Sequence, residues 1–309
     1  MQGRPIILGT ATPGGGFPLY GGTLAEVLNA ADAALAIETR NTKGSTENVP
    51  LLEAGALDLG LVQGEVANPA LSVPDTGLRI IAAMYSSPGM FVVRADTAYD
   101  SIADLQGHSV AFGVKGSGLT LLGRTVIDGL GLQAERDFNA VYLDRAGDGP
   151  LMVLDGRVAA LWGAGIGWPG FTAVAASPQG ARFIVPDAAE VARILAKHPF
   201  LKRLTVAAWS YPGQKEPIDS VGSWSYVLSR PGFDAGVAYR IARALHGAEA
   251  ALAARLEQAR ETTAANTFSA APRADLIHPG VLKYLGEIGL APPLLRPPRS
   301  CLVPLTPWG

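Results

Sequence analysis

The stretch Ile6-Ile7-Leu8-Gly9-Thr10-Ala11-Thr12-Pro13-Gly14-Gly15-Gly16 decides the fold. It joins a short apolar strand to a glycine-rich turn, and Leu24, Val27 and Leu28 then recur at helical spacing. A strand that leads through a tight turn into a helix is the opening unit of an α/β sheet. Free backbone N–H groups in such a turn, together with the helix N-terminus, favour an anionic ligand group. The turn is therefore the first candidate for a binding site, although a plain tight turn would show the same pattern.

The alternation of strands and helices continues along the chain. Strands are predicted at Ala36 to Thr39, Leu57 to Val62 and Arg79 to Met84, with a helix at Thr46 to Glu53 that ends near Gly55. A second series follows Phe91-Val92-Val93. Its strands are predicted at 109–112, 140–143, 158–162, 182–185 and 221–228, with helices at 119–130 and 150–154 and a long helix through 237–256.

Two such series predict two lobes. We expect an α/β, two-lobed fold of the type II periplasmic-binding kind, in which each lobe is a mainly parallel sheet flanked by helices. The chain would build the first part of lobe one over residues 1–94, lobe two over 95–220, and the remainder of lobe one over 221–309. A cleft between two lobes is a usual place for a small ligand.

Composition narrows the function. The 309 residues are 48% hydrophobic and carry a formal net charge of -2, so the chain suits a buried core and offers no basic block for nucleic acid. The single cysteine, Cys301, excludes an internal disulfide. No apolar run has the length of about 18 residues that a membrane span needs. The N-terminus carries no signal-peptide core, so either the protein is cytoplasmic or an export signal has been removed.

Two further loops also lead into predicted helices and are candidates for ligand binding. Gly44-Ser45-Thr46-Glu47-Asn48 places Ser45 as the N-cap of a helix, with Asn48 three residues further on, and Lys115-Gly116-Ser117-Gly118 lies between a strand and a helix. Two facing helix N-termini can hold one carboxylate between them. Simple helix capping is the alternative for each loop. Ser117 does not lie in a Gly-x-Ser-x-Gly nucleophile elbow, because residue 115 is lysine.

A fourth candidate is the run Trp162-Gly163-Ala164-Gly165-Ile166-Gly167-Trp168. Glycines such as Gly165 allow close backbone approach, and Trp162 can supply an aromatic wall, although core packing is the alternative for each tryptophan. The four histidines are far apart and lack metal-ligand spacing. For His278, which precedes Pro279-Gly280, helix capping or packing in a turn is the favoured interpretation. We therefore expect no metal, no cofactor and no catalytic residues.

Taken in order, these loops resemble the TAXI family of TRAP-transporter solute receptors. That family's first signature, Gly-Thr-Gly-Ser-Pro-Gly-Gly, is similar to residues 9–15, where Ala11 and Thr12 are substituted. The resemblance extends over nearly the whole chain. It includes 44–48, the Leu-x-x-Gly-x-x-Asp pattern at 52–58, Gln63, 105–107, 116–118, 211–214, and 278–280 with Tyr284.

The resemblance implies a receptor in the periplasm that delivers a small carboxylate or amino-acid-like solute to a TRAP-type membrane permease. We further expect the protein to be a monomer and not an enzyme. Carried over residue by residue, it implies ligand contacts from Thr10, Gly15, Ser45, Asn48, Gln63, Ser117 and Gly118. The residues themselves add Phe17, Lys115, Trp162 and Gly165 as candidates, with Arg40 a second source of positive charge.

The chain departs from the family pattern beside the first loop. Many members have a tyrosine after the glycines, where this chain has Phe17 followed by Pro18. Phe17, Trp162 and Trp168 together favour a bulkier or more aromatic solute than glutamate. An enzyme or a ligand sensor on the same fold stays as an alternative. The proline-rich tail over residues 292–307 is expected to run extended over the surface.

Overall fold

The computed structural model describes residues 4–291 and has the α/β class that the sequence predicts. Ten strands form one curled sheet. Their bounds are β1 Ile6–Gly9, β2 Ile37–Arg40, β3 Leu59–Val62, β4 Arg79–Arg94, β5 Ser109–Val114, β6 Asn139–Leu143, β7 Ala160–Ala164, β8 Ala181–Ile184, β9 Lys202–Val206 and β10 Ile218–Ser229.

Helices cover the sheet on its faces. Their bounds are α1 Gly16–Ala31, α2 Ser45–Glu53, α3 Gly64–Ser72, α4 Gly118–Gly129, α5 Ala134–Asp137, α6 Asp148–Leu154, α7 Pro169–Ala175, α8 Ala188–Lys197, α9 Ala235–Arg255, α10 Ala264–Ala270 and α11 Pro279–Glu287. Short 3-10 segments lie at Ala103–Leu105, Glu257–Glu261 and Ala274–Leu276. None of the helices within residues 4–291 is both long and apolar enough to span a membrane.

The strand order is β2-β1-β3-β10-β4-β7-β5-β6, with β8 beside β4 and β9 beside β10. Pairings of β1 with β2 and β3, and of β5 with β6 and β7, are parallel, as βαβ connections require. All strand pairings of β4 and β10 are antiparallel, and β4 also makes an isolated parallel bridge from Ile80 to Ile277. The sheet is therefore mixed, and the expectation of mainly parallel lobes holds only away from these two strands.

β4 and β10 run through both halves of the molecule. The sequence predicted a strand only over Arg79 to Met84, whereas Ser86, Ser87, Pro88 and Gly89, which follow it, are residue types that often interrupt a strand. They stay extended because they lie opposite β10, with Ser87 paired to Ser223 and Pro88 to Gly222. One strand of 16 residues results.

The apolar side chains form separate cores on either side of this crossing. One core collects residues from 8–85 and 226–291, and we call this half lobe one. Two others collect residues from 90–221, which we call lobe two. The chain thus leaves lobe one, builds lobe two and returns. The boundaries at residues 94 and 220 stay a prediction, and the proline-rich tail and Cys301 lie outside the described residues.

Local capping explains several helix starts. Ser117 Oγ accepts a hydrogen bond from Thr120 N at 3.2 Å and caps α4. His278 Nδ1 accepts one from Gly280 N at 3.1 Å, while its Nε2 lies 3.1 Å from Phe233 O. The capping role expected for His278 is confirmed, and burial lowers the pKa of this imidazole.

Candidate functional site

A cavity of about 690 Å³, part of it open to solvent, lies where the two lobes face each other. Its walls come from the turn before α1, the loops that lead into α2 and α4, the strands β4 and β10 that run through both lobes, and the end of β7. The lining residues are Ala11, Thr12, Gly15, Gly16, Phe17, Lys43, Gly44, Ser45, Gln63, Tyr85, Ser87, Gly113, Val114, Ser117, Gly118, Leu119, Leu143, Ala146, Ala164, Trp168 and Ser225.

The lobe-one wall centres on the start of α2. Gly44 has φ 101° and ψ -157°, a backbone conformation that glycine adopts without strain, and it turns the chain into the helix. Ser45 is buried, and its Oγ accepts a hydrogen bond from Gln63 N at 3.0 Å. Ser45 is therefore not the N-cap that the sequence predicted: Gly44 has that position, and the Ser45 hydroxyl binds a neighbouring loop instead of its own helix. The bond holds the first residue of α2 beside the residue that precedes α3, so both helices start at the cavity.

The lobe-two wall centres on the start of α4, and the lobes touch here. A Cβ atom on Gly118 would lie 2.8 Å from Ser45 Oγ and 2.7 Å from Gln63 Oε1. Beside it, Thr46 Oγ1 donates a hydrogen bond to Gly116 O at 2.5 Å across the cleft. Only glycine at position 118 therefore allows this approach of the two lobes.

The electrostatics of the cavity favour an anion. The first N–H groups of a helix have no intrahelical partner, and α1, α2 and α4 all begin at the cavity wall. Pro18 removes one such N–H group from the first turn of α1. Among the described lining residues, Lys43 is the only one with a charged side chain. No acidic side chain is among the described lining residues, so Lys43 and the helix N-termini give the walls a positive potential.

Aromatic and aliphatic side chains form the rest of the walls. Phe17, Leu119 and Leu143 line the cavity, as does Trp168, which packs edge-on against Phe171 with ring centroids 5.0 Å apart. A solute that enters would therefore bury an apolar body against these side chains.

The structure brings six of the sequence-predicted site residues to the cavity: Gly15, Phe17, Ser45, Gln63, Ser117 and Gly118. Trp168, which the sequence also singled out, lines it as well. Their role in binding stays a prediction. Sequence reasoning missed Lys43 and the strand residues Tyr85, Ser87 and Ser225, whose place depends on the pairing of β4 with β10. The positive charge of Lys43, next to a predicted helix start, was the one signal that could have revealed it.

Two predicted contacts face the protein interior. Asn48 is fully buried, and its Nδ2 donates to Thr10 O and Leu61 O, both at 2.8 Å. Thr10 is equally buried, and its Oγ1 donates to Arg40 O at 3.2 Å. These side chains tie α2 and β2 to the ends of β1 and β3, so they shape the cavity wall without lining it.

Three more predicted residues lie away from the cavity lining. Trp162 is fully buried, and its Nε1 donates to Leu119 O at 2.9 Å. Lys115 is exposed. Gly165 lies behind the wall, where a Cβ atom would be 3.4 Å from the Tyr85 ring. Arg40, the other proposed source of charge, is also exposed outside the lining.

The Asp of the Leu-x-x-Gly-x-x-Asp pattern also has a structural place. Asp58 is buried, and its carboxylate accepts hydrogen bonds from Ile7 N at 3.1 Å and Arg230 Nε at 2.9 Å. It therefore joins β1 to the end of β10. Across residues 4–291, no group of three or more His, Cys, Asp or Glu side chains is arranged to hold a metal ion.

A buried carboxylate lies one turn behind the cavity wall. Neither oxygen of Glu65 makes a well-formed hydrogen bond to the described residues. Burial raises the pKa of this carboxyl from 4.5 to about 7, and the nearby Ser223 hydroxyl offsets only part of that rise. A raised folded-state pKa means that the native protein binds more protons than the unfolded chain between these values. Its contribution to stability is therefore present below about pH 4.5 and is lost as the pH rises through about 7.

Glu65→Gln is accordingly expected to raise the free energy of unfolding at about pH 8 by roughly 3 kcal/mol, and to change it little near pH 4.5. Urea unfolding at the two pH values measures this difference. Glu53→Gln, an exposed carboxyl at the end of α2, is the control and should show no such pH-dependent gain. Equal effects of Glu65→Gln at both pH values would contradict the raised pKa.

Comparisons with known proteins agree with this architecture. A family model described as the NMT1-like family matches residues 8–289. A periplasmic binding protein, BugD, has a solved structure with a TM-score of 0.54 and 14% identity, covering 83% of this chain and 87% of that one. A protein from Bordetella bronchiseptica RB50 has a TM-score of 0.54 and 13% identity, with coverages of 96% and 92%.

A third solved structure, described as a periplasmic transporter, has a TM-score of 0.55 and 14% identity, and the match covers 82% of this chain and 86% of that one. At such low sequence identities, these similarities show the fold alone. The two-lobed periplasmic-binding fold predicted from the sequence is confirmed.

Proposed function

The chain belongs to the NMT1-like family, and from this premise we propose that it is an extracytoplasmic receptor that traps a small organic anion between its lobes. The observation that carries the proposal is the cavity itself. Helix N-termini from both lobes meet there, and Lys43 supplies the only charged side chain among the described lining residues. An anion bound at this point contacts both lobes at once and so stabilises their closed arrangement.

The lining narrows the solute class. Receptors that hold an amino acid must compensate its ammonium group, and a buried charge without a partner costs several kcal/mol. No Asp or Glu lines the cavity within the described part of the chain. A monoanionic acid with an apolar or aromatic body therefore suits the site better than an amino acid, and it agrees with the aromatic walls from Phe17 and Trp168.

The proposed receptor binds its solute without catalysing a reaction on it. Among the described lining residues there is no His, Cys, Asp or Glu that would serve as a general base or nucleophile beside the serines. A receptor function is therefore favoured over an enzymatic one. A sensor on the same fold has no specific observation in its favour.

Delivery to a membrane permease completes the proposed function. A TRAP-type permease is proposed because the ordered loop motifs resemble those of the TAXI receptors, and a periplasmic location because BugD, which has the same fold, is described as a periplasmic binding protein. The receptor is proposed to act as a monomer with no cofactor.

Titration calorimetry with a panel of monocarboxylates, dicarboxylates, sulfonates and amino acids tests the proposal. Saturable binding of one or more monoanionic acids, with amino acids at least about tenfold weaker, is expected. An amino acid as the tightest solute would contradict the proposed solute class. Absence of binding throughout the panel would contradict the receptor function.

Lys43→Gln is expected to weaken binding of a monoanionic acid by about fivefold to twentyfold, since an exposed or half-exposed ion pair contributes about 1–2 kcal/mol when helix dipoles act with it. Calorimetry at low and high salt measures the change, and the wild-type salt dependence should shrink in the variant. Lys115→Gln makes the same change on lobe two outside the lining and should leave affinity unaltered. A larger loss in Lys115→Gln would place the anion at the other loop.

A further inference from the structure

Two polar side chains beside the first residue of α1 lack partners. Gln258, from the 3-10 segment Glu257–Glu261, is 2% exposed, and neither its amide nitrogen nor its amide oxygen has a hydrogen bond among the described residues. More than nine in ten buried polar groups in native proteins are paired, so both orphaned atoms of one amide call for a cause.

The orphaned amide lies directly behind the cavity lining, next to Gly16. A Cβ atom on Gly16, a lining residue, would lie 3.7 Å from Gln258 Nε2 and also 3.7 Å from Tyr85 Oη. Gly165 lies on the other side, with its own Cβ position 3.6 Å from Gln258 Nε2. The lack of side chains at Gly16 and Gly165 therefore leaves the amide and the hydroxyl at one place.

Tyr85 shares this situation. The residue lines the cavity and is 4% exposed, and its hydroxyl makes no hydrogen bond within residues 4–291, unlike that of Tyr20, which lies 3.0 Å from Thr262 Oγ1. Burial raises the pKa of the Tyr85 hydroxyl, so it is protonated at neutral pH. An amide and a phenol each offer a donor and an acceptor, and neither carries a charge.

We propose that Gln258 and Tyr85 form a subsite that binds a neutral polar group of the solute, either a hydroxyl or a carboxamide. The anionic end of the same solute lies at the starts of α2 and α4. This inference rests on the proposed receptor function and specifies its solute further, as a hydroxylated or amidated monoanionic acid. A second carboxylate is disfavoured at the subsite, because Lys43, the one cationic side chain of the described lining, precedes the start of α2, where the proposal places the anionic end.

The subsite also bears on lobe closure. The segment around Gly167 packs from lobe two onto Gln258, with a Gly167 Cβ position 3.5 Å from Gln258 Cγ. Closure therefore buries the amide, and burial without a partner is unfavourable. A solute that pairs with the amide removes this penalty, so the correct polar group favours closure and an unsubstituted acid does not.

The test uses calorimetry with matched probes: hexanoate, its terminal hydroxy acid, its terminal carboxamide and adipate, and 3-phenylpropanoate with its para-hydroxy analogue. The wild type is expected to prefer the hydroxy or amide member of a series over the unsubstituted acid by about tenfold or more. Gln258→Met and Tyr85→Phe should each reduce this preference by at least about threefold. Gln106→Met, at an exposed position, is the control and should keep it.

A second readout separates recognition from a structural role. Gln258→Met removes an unpaired buried amide, so the ligand-free melting temperature should stay equal or rise. A fall of several degrees would show that the amide is paired in the protein and would overturn the inference. So would tight binding of unsubstituted acids with no preference, or a preference for adipate, and both would leave the receptor function intact. Failure of every probe to bind would count against the receptor function itself.

Discussion

Gly118→Val is expected to weaken solute binding by at least about a hundredfold while leaving the melting temperature of the ligand-free protein within a few degrees of the wild type. The added side chain would meet Ser45 Oγ and the Gln63 side chain within 2.9 Å, and Gln63 Cβ belongs to a buried residue that cannot move aside. The lobes are then held apart at their closest point, and an anion keeps only the contacts of one lobe.

Calorimetry with the monoanionic acid that binds best, together with thermal unfolding, measures both quantities. Gly247→Val places the same side chain on α9, where a Cβ atom meets nothing within 4 Å, and should bind the acid as the wild type does. Wild-type affinity in Gly118→Val would show that binding does not need the approach of α4 to α2.

Trp162→Ala is expected to lower the free energy of unfolding by about 3–5 kcal/mol, the range for loss of a large buried aromatic side chain. Trp162 is fully buried, lies against Phe91 with ring centroids 4.8 Å apart, and fills the space beside Gly89 and Gly123. Urea unfolding gives the change. Trp162→Phe keeps a ring and should lose clearly less, mainly the bond from Nε1 to Leu119 O.

The same variant decides between packing and ligand contact for this tryptophan. If Trp162 contacted the solute directly, as the sequence suggested, Trp162→Phe would bind the solute more weakly while its free energy of unfolding changed little. The burial of Trp162 favours the opposite result, a loss of stability with solute affinity retained under conditions where the variant is folded.

The sequence was sufficient to predict the turns that form the local parts of the site. Ser117 and Ser45 each stand at a predicted strand-to-helix turn, one in each predicted lobe, and the expectation that two helix N-termini face each other across the cleft agrees with their place in the cavity lining. Gly118 was singled out as part of a turn, and the structure adds a reason for glycine there, since the two lobes meet at its Cα.

The sequence motifs predicted where a residue lies more reliably than they predicted the direction of its side chain. Asn48 and Thr10 lie beside the cavity as expected, but their side chains turn inward to backbone carbonyls. A sequence pattern does not distinguish a polar side chain that satisfies the backbone from one that faces a solute, because both are favoured at the ends of strands. The inward direction depends on the packing of α2 against β1 and β3.

Tertiary pairing accounts for what the sequence missed. Tyr85 and Ser87 lie in a stretch with serine, proline and glycine that has no strand pattern of its own, and only β10 holds it extended. Gln258 comes from a short 3-10 segment that is far from the loops in sequence. Their meeting at Gly16 has no local signal.

The central proposal is that a small organic anion closes the two lobes on itself. Small-angle X-ray scattering, with and without a saturating monoanionic acid, measures this most directly. We expect the protein with bound acid to give the scattering curve of the closed arrangement, in which Thr46 meets Gly116, and the free protein to give a larger radius of gyration. Saturated binding with no compaction would contradict closure of the lobes on the solute.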